Sequence, residues 1–382
     1  MASLGPPGDM PWGDLLVSSN TLYGTTCNGD TVYRLSTDGT GFTNLYSFTA
    51  ESGPYPYTNS DGAFPTCRLA VSANTLFGTT SAGGALGHGT VFTVNTDGIG
   101  FKTLHAFNGG DGDGPAEGLV LSGNILYGTA AGGSLGCGTV FALNTDGSGF
   151  TNLYNFAGPG DGAYPYAGLI LSGNKLYGTA YGGGSSSNGT VFALNTDGTG
   201  FATLHTFAAG SGSYPNIITS EGTTPYGGLI LSGNTLYGTA QHGGNSSNGT
   251  VFALNTDGTG FTTLHTFTAT TDWTNRDGAS PSASLVLSGN TLYGTTYGGG
   301  NSGGGTVFSI ALPPPQLTVA VSQANLVLTW PTNVPGLVLQ STTNLGSSAV
   351  WSTNSQLPVV INGQNVVTNA ISDTQRFFRL SQ

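Results

Sequence analysis

Charge is what this sequence has least of. Only 7% of its 382 residues are Asp, Glu, Lys or Arg, against roughly 25% in an ordinary soluble chain. A chain so poor in these residues cannot cover many amphipathic helices, whose outer faces are normally made of them. Seven basic residues stand against 18 acidic ones, for a net charge of −11. Scattered cations in that number cannot form the basic footprint that nucleic-acid binding rests on. No apolar run approaches the ~18 residues of a membrane span, and Met1 to Trp12 lack the basic start and apolar core of a signal peptide. If the protein is exported, its leader is not part of these residues. Three cysteines are too few for a disulfide scaffold, and the odd number leaves at least one thiol unpaired. What is abundant is Gly, 65 residues, with Thr, Ser and Asn, which suit turns and short strands. The fold class expected is all-β.

Internal repetition carries the most information. Leu22-Tyr23-Gly24-Thr25, Leu76-Phe77-Gly78-Thr79, Leu126-Tyr127-Gly128-Thr129, Leu176-Tyr177-Gly178-Thr179, Leu236-Tyr237-Gly238-Thr239 and Leu292-Tyr293-Gly294-Thr295 are one element six times over. A period near 50 residues suits propeller blades of four strands. In the fourth copy the turn chemistry predicts strands over Gly168–Ser172, Lys175–Thr179, Thr190–Asn195 and Phe201–Phe207, with Gly173-Asn174 and Asp197-Gly198 at two of the turns. Runs such as Thr-Val-Phe-Ala-Leu are continuously apolar, as expected of sheets packed on both faces. A leading proline (Pro11, Pro65, Pro115, Pro165, Pro225, Pro281) opens each copy, and the last copy stops near Leu312, before a fourth strand. The expectation is a six-bladed β-propeller over 1–312, closed into a ring because closure removes exposed sheet edges. A Pro-rich linker at 313–316 and a small β-sandwich over 317–382 follow, the latter from short strands such as Leu317–Val321, Leu326–Trp330, Leu337–Ser341 and Phe377–Leu380.

The repeated Leu-Tyr-Gly-Thr, Gly-Thr-Val-Phe, Asn-Thr-Asp-Gly and Leu-His or Leu-Tyr before Phe, over residues 11 to 312, resemble the GloVer-type tandem repeat of exported or surface bacterial proteins. The resemblance implies a repeat scaffold and a secreted or cell-surface location, and it brings no activity with it. The strand order and the Asp-Gly turn are similar, more weakly, to quinoprotein-type propellers, which supports a central first strand but no quinone cofactor. The C-terminal part is similar to the fibronectin-type modules of exported bacterial proteins.

Loops bear function in such folds, and the six copies differ in the loops after the second and fourth strands, with insertions at 49–64, 208–224 and 268–280. That upper face is the expected binding face. Its candidate ligand-binding residues are Trp12, Tyr55, Tyr57, Tyr166, Tyr181, Tyr226, Gln241, His242, Trp273 and Tyr297, rings for stacking sugars interleaved with hydrogen-bonding groups. Tyr181 and Tyr297 hold the same place in two copies, with Gln241 between them. Two residues or three after the leading proline, Asp14, Arg68 and Glu117 interrupt a row of small residues and fall at the channel mouth. They are read either as a salt-bridge cluster or as a catalytic set. The Thr-Asp-Gly turns offer about two oxygens where Ca²⁺ takes six to eight, so no metal is expected, and no cofactor. Asp61, Asp111, Asp161, Glu221 and Asp277 recur too regularly for a catalytic pair. His105, His205 and His265 share a slot with Tyr46 and Tyr154, and the histidines form no catalytic constellation. Cys27 and Cys67 are the cysteines expected to approach.

Three functions follow in order: an extracellular binding module for carbohydrate or another surface polymer, a protein-interaction or structural repeat protein, and a glycan hydrolase or lyase acting through Asp14, Arg68 and Glu117.

Overall fold

A computed structural model describes residues 10, 13–27, 29–115, 117–212, 214–313, 316–331, 337–346, 349–354, 356–361, 364–371 and 375–381. Its elements are β-strands, with no helix among the described residues. Repeats one to five each form a four-stranded antiparallel meander and repeat six a three-stranded one. In repeat four the strands are Ile170–Ser172, Lys175–Ala180, Thr190–Asn195 and Ala202–Thr206, within two residues of expectation.

Each conserved letter of the repeat has a mechanical reason. Asp197 at the turn before the fourth strand accepts hydrogen bonds from the Thr199 N–H at 2.9 Å and its hydroxyl at 2.6 Å. The turn therefore closes on its own Asx bond. Gly178 is opposite Phe192 in the ladder, and a Cβ there would meet the Phe192 ring at 2.6 Å. Only glycine lets the ring lie across the strand. Every third-to-fourth strand pairing of repeats one to five carries a register shift at the same place, Val191/Phe192 in repeat four, a bulge that strengthens the local twist.

Neighbouring sheets are joined by a second regularity. The Thr of Leu-Tyr-Gly-Thr donates its hydroxyl to a carbonyl at the start of the next repeat: Thr25 to Cys67, Thr79 to Glu117, Thr129 to Ala167, Thr179 to Gly227 and Thr239 to Ala283, at 3.0–3.3 Å. The last Phe of each fourth strand, Phe48, Phe107, Phe156, Phe207 or Phe267, is buried in an inter-sheet cluster. A buried Phe is worth about 1.5–3 kcal/mol by area, so these rings are the main adhesive of each seam. In repeats one to four the aromatic or His two residues earlier stacks flat on the first Phe of the next fourth strand, as in Tyr46–Phe101 and His105–Phe150, centroids 3.7 Å apart.

Closure of the ring does not hold as expected. Between sheets six and one, Val307 and Tyr293 are 80% and 43% exposed, whereas their counterparts Val251 and Tyr237 are 0% and 6%. Across the seam, Leu15 is 48% exposed where Leu69 is 2%. The physical reason is the missing fourth strand of repeat six, which would carry the Phe that fills a seam. Thr295, last of the six hydroxyls, is exposed as well.

The C-terminal residues form a four-stranded sheet in the order Thr318–Ser322, Asn325–Pro331, Gln364–Ala370, Val359–Ile361 and a three-stranded one in the order Ser352–Thr353, Val338–Thr342, Phe377–Ser381. Leu328, Trp330 and Val367 from the first and Leu339 from the second share one buried cluster. The strand Gln364–Ala370 was not expected, because polar residues dominate it and hide the alternation.

Candidate functional site

The first strand of every repeat lines one axial cavity of about 980 Å³. Its wall is mostly Leu, Val and Ile, and its charged lining residues are Asp14, Arg68 and Glu117, followed round the circle by Gly168, Gly228 and Ser284. These positions lie just after the leading prolines, where sheets approach at backbone distance. A Cβ on Gly118 would sit 2.5 Å from the Arg68 carbonyl.

The three charges meet only in part. Among the described residues Arg68 forms no ion pair with either carboxylate, so the expected salt bridge is absent. Asp14 and Arg68 are exposed and Glu117 half-buried. Burial first, then the negative charge of Asp14, pushes the Glu117 carboxyl up to about 7, opposed by a hydrogen bond from the Gly118 N–H. A proton is thus held at the mouth near neutral pH, as burial and a like charge together dictate.

Beside this mouth the structure gathers tyrosines from two repeats and an insertion. Tyr166 and Tyr226, each next after a leading proline, stack with centroids 5.5 Å apart. Tyr181, following the second strand of repeat four, meets both edge-on at 5.6 and 5.9 Å. Its hydroxyl lies 3.1 Å from that of Tyr214 in the 208–224 insertion, and Tyr214 in turn packs edge-on against His242. Tyr164 extends the row, 6.2 Å from Tyr166. The three central rings are half-buried, while Tyr164 and Tyr214 are exposed. Burial raises the Tyr226 hydroxyl pKa, with smaller contributions from Glu117 and Tyr166; burial and then the Tyr214 hydroxyl raise that of Tyr181. The Tyr181 and Tyr226 phenols are therefore neutral donors at ordinary pH. The Glu117 contribution places the platform within electrostatic reach of the cavity mouth.

Other candidates do not join it. Tyr55 and Tyr57 pair with each other, edge-on at 6.1 Å. Trp273 and Tyr297 are 85% and 83% exposed and enter no ring pair of the described residues, so no ring contact joins Tyr297 to Tyr181. Gln241 donates its backbone N–H to the Thr224 carbonyl. Trp12 lies outside the described residues. Sequence reasoning counts Tyr214 and Tyr164 among the aromatics of the upper loops but not among the candidate ligand-binding residues, because nothing in one dimension shows that the 208–224 insertion folds back onto Tyr181.

The acids before the leading prolines have a clear employment. Asp61 and Asp161 accept from the Tyr46 and Tyr154 hydroxyls at 2.7 and 2.9 Å. Asp111, Glu221 and Asp277 stand 3.1–3.2 Å from Nε2 of His105, His205 and His265. Each acid also takes a backbone N–H at the start of its loop, such as Thr49, Asn108 or Ala208. His–acid pairs therefore exist, contrary to the sequence reading, but Tyr substitutes freely for His, which marks them as loop fasteners. All three cysteines are free thiols, so Cys27 and Cys67 are not bridged. Cys67 is buried and accepts the Thr79 N–H at 3.1 Å.

Residues 57–223 and 216–345 match the Gloeobacter/Verrucomicrobia repeat. The chain belongs to that repeat family. No curated protein matches this family member. Among solved structures it is similar to a catalytically inactive variant of virginiamycin B lyase from Staphylococcus aureus with quinupristin, at 14% identity and a TM-score of 0.52, covering 87% of this chain and 95% of that one. A streptogramin B lyase structure gives 14% identity and a TM-score of 0.49, with 85% and 92% covered. A chain of a nidogen/laminin complex gives 14% and 0.44, with 72% and 85% covered. At such identities the likeness speaks for a propeller-like fold alone.

Proposed function

We propose that this repeat protein is a secreted or cell-surface binding module that takes polysaccharide on the tyrosine platform of repeats four and five. Its six repeat sheets act as six blades around the axial cavity, and its two C-terminal sheets as a small β-sandwich spacer. The single observation that carries the reading is the contiguous set Tyr164, Tyr166, Tyr181, Tyr226 and Tyr214, two pairs stacked and two edge to face, half open to solvent. Rings held by each other lose little side-chain entropy when a sugar stacks on them, and their hydroxyls offer donors beside it. Binding to a panel of plant and algal polysaccharides, by affinity electrophoresis and calorimetry, tests it. Each lost ring contact is worth about 1 kcal/mol by analogy with aromatic pairs, so Tyr181→Ala with Tyr226→Ala should weaken binding roughly 10- to 30-fold. No retained glycan, or full retention by the double variant, ends this reading.

A second reading rests on Glu117, whose carboxyl titrates near neutrality beside the Asp14 carboxylate. A carboxyl so poised suits a general acid in glycan cleavage. Reducing-end release that vanishes in Glu117→Gln while the tyrosine variant keeps it would favour that activity.

A further inference from the structure

The surroundings of the tyrosine platform carry charge of one sign. Between residues 103 and 275 the only Lys or Arg is Lys175, whereas Asp111, Asp113, Glu117, Asp161 and Glu221 fall in the upper loops of that stretch. Lys175 opens the strand Lys175–Ala180, and Tyr181 follows its far end, so about 20 Å of extended chain separates this cation from the platform. Arg34 and Lys102 donate to the Thr96 and Asp146 carbonyls at turns of the opposite face. Arg276 stands in the 268–280 insertion between Asp272 and Asp277.

Glu117 is the carboxyl that reaches the rings. Its Cβ lies 3.8 Å from where a Cβ on Gly168 would stand, and a Cβ on Gly228 would lie 3.9 Å from the Gly168 carbonyl oxygen. Gly168 and Gly228 come two residues after Tyr166 and Tyr226, so at these two places no side chain fills the mouth between the carboxyl and the stacked rings. The Glu117 charge is felt at the Tyr226 hydroxyl, whose pKa it helps to raise. Among the described residues Glu117 enters no ion pair, and Arg68 is in repeat two, on the side of Glu117 away from the platform.

The rings complete the setting. Tyr166 and Tyr226 are within 28° of parallel, and Tyr181 stands at 72° and 89° to them, so ring planes of two orientations meet beside one carboxyl. Tyrosine faces attract cations through the ring quadrupole, more strongly where water is partly excluded. A cation seated there also draws Glu117 into its ionised form, since an opposite charge favours the carboxylate. A uronate or sulfated polymer would instead meet repulsion, with no Lys or Arg of repeats four and five at the platform to offset it.

We propose that the polysaccharide taken by this platform is an amino-sugar polymer, with sugar rings laid on the tyrosines and an ammonium group held between their faces and the Glu117 carboxylate. The inference rests on the platform reading and adds to it the charge of the ligand and the group that selects it.

Three pentasaccharides test it by calorimetry on the full chain at about pH 7: β-1,4-linked glucosamine, N-acetylglucosamine and glucose, which share a backbone and differ in bearing an ammonium, an acetamide or a hydroxyl at C2. The glucosamine pentamer should bind about 10-fold more tightly than either neutral one, as a cation–π contact and a charge-assisted hydrogen bond together allow, and added salt should erode that preference. Glu117→Gln should abolish the preference. Glu51→Gln removes the same charge from the 49–64 insertion, away from the rings, and should retain it. Equal binding of the three pentamers overturns the inference and leaves the platform reading standing, whereas binding of none ends both. A preference that survives Glu117→Gln, or that Glu51→Gln reduces as much, assigns the selectivity to the overall negative charge of the chain and overturns the role of this site.

Discussion

Replacing Glu117 by Gln should remove one identifiable part of the pH dependence of stability. In the unfolded chain the carboxyl titrates at its ordinary 4.5, and in the folded protein at about 7. Below pH 4.5 both states hold the proton, so the group is neutral to folding. Between the two values the unfolded chain has released the proton while the native state keeps it, so each rise in pH favours unfolding. Above about 7 both are ionised and the loss is complete. Two and a half units at 1.36 kcal/mol each give about 3 kcal/mol, and solvent reaching the half-buried carboxylate lowers this to about 2 kcal/mol. Urea unfolding of wild type and Glu117→Gln at pH 4.5, 6 and 8 should therefore diverge, the variant gaining relative to wild type as pH rises. The sequence contains only three glutamates, Glu51, Glu117 and Glu221, so selective ¹³C labelling of Glu yields three carboxyl signals to follow. One with a midpoint near 7 should disappear in the variant. Asp14→Asn should move that midpoint downward by less than burial moved it upward, since burial is the larger cause. Arg68→Ala should leave it in place, because Arg68 forms no ion pair there. If all three signals titrate below 6, or the two proteins show parallel pH profiles, the reasoning fails.

Other outcomes follow from the same geometry. Gly178→Ala forces a Cβ to 2.6 Å from the Phe192 ring and should cost about 1–3 kcal/mol in urea unfolding. Thiol labelling without reductant should count three free cysteines after denaturation, with Cys67 unreactive in the folded protein because burial pushes its thiol up to about 11. A mass showing fewer than three labels would contradict the structure. Loss of the fastener in Asp161→Ala should loosen the loop that carries Tyr164 and leads to Tyr166, since Asp161 holds both the Tyr154 hydroxyl and the Ala157 N–H. The check is faster amide exchange over 157–166 with Tyr181 unaffected.

Repetition made the fold legible because six copies vote on every position. A residue that survives in all of them answers to a constraint each sheet shares, as Gly178 answers to Phe192 and Asp197 to the Thr199 N–H. The same logic hid the site. Tyr166, Tyr181 and Tyr226 are legible as aromatics on the loop face that varies among the copies, but which of the many such rings meet one another depends on how repeats four and five turn about the axis, and no one-dimensional comparison contains that angle. Tyr297, at the same repeat position as Tyr181, illustrates the limit: equivalent placement gave an equivalent backbone hydrogen bond, Tyr297 N–H to the Ser280 carbonyl, and no ring contact among the described residues. The charges erred in the opposite direction. Asp14, Arg68 and Glu117 do share the cavity wall, yet adjacency on a circle of first strands does not bring an exposed guanidinium within reach of a half-buried carboxylate.

The open seam follows from the same one-sided reasoning. Counting leading prolines gave six complete starts, and closure seemed to follow from the cost of bare sheet edges. But a seam is sealed from its outer end, by the last Phe of a fourth strand and the stacked pair before it, and those residues stand at the end of a repeat rather than at its start. The missing stretch after Leu312 therefore removes more than an edge strand. It removes the ring that would have covered Val307 and Tyr293 and the one that would have lain on His265, so sheets six and one face each other without the residues that join every other pair.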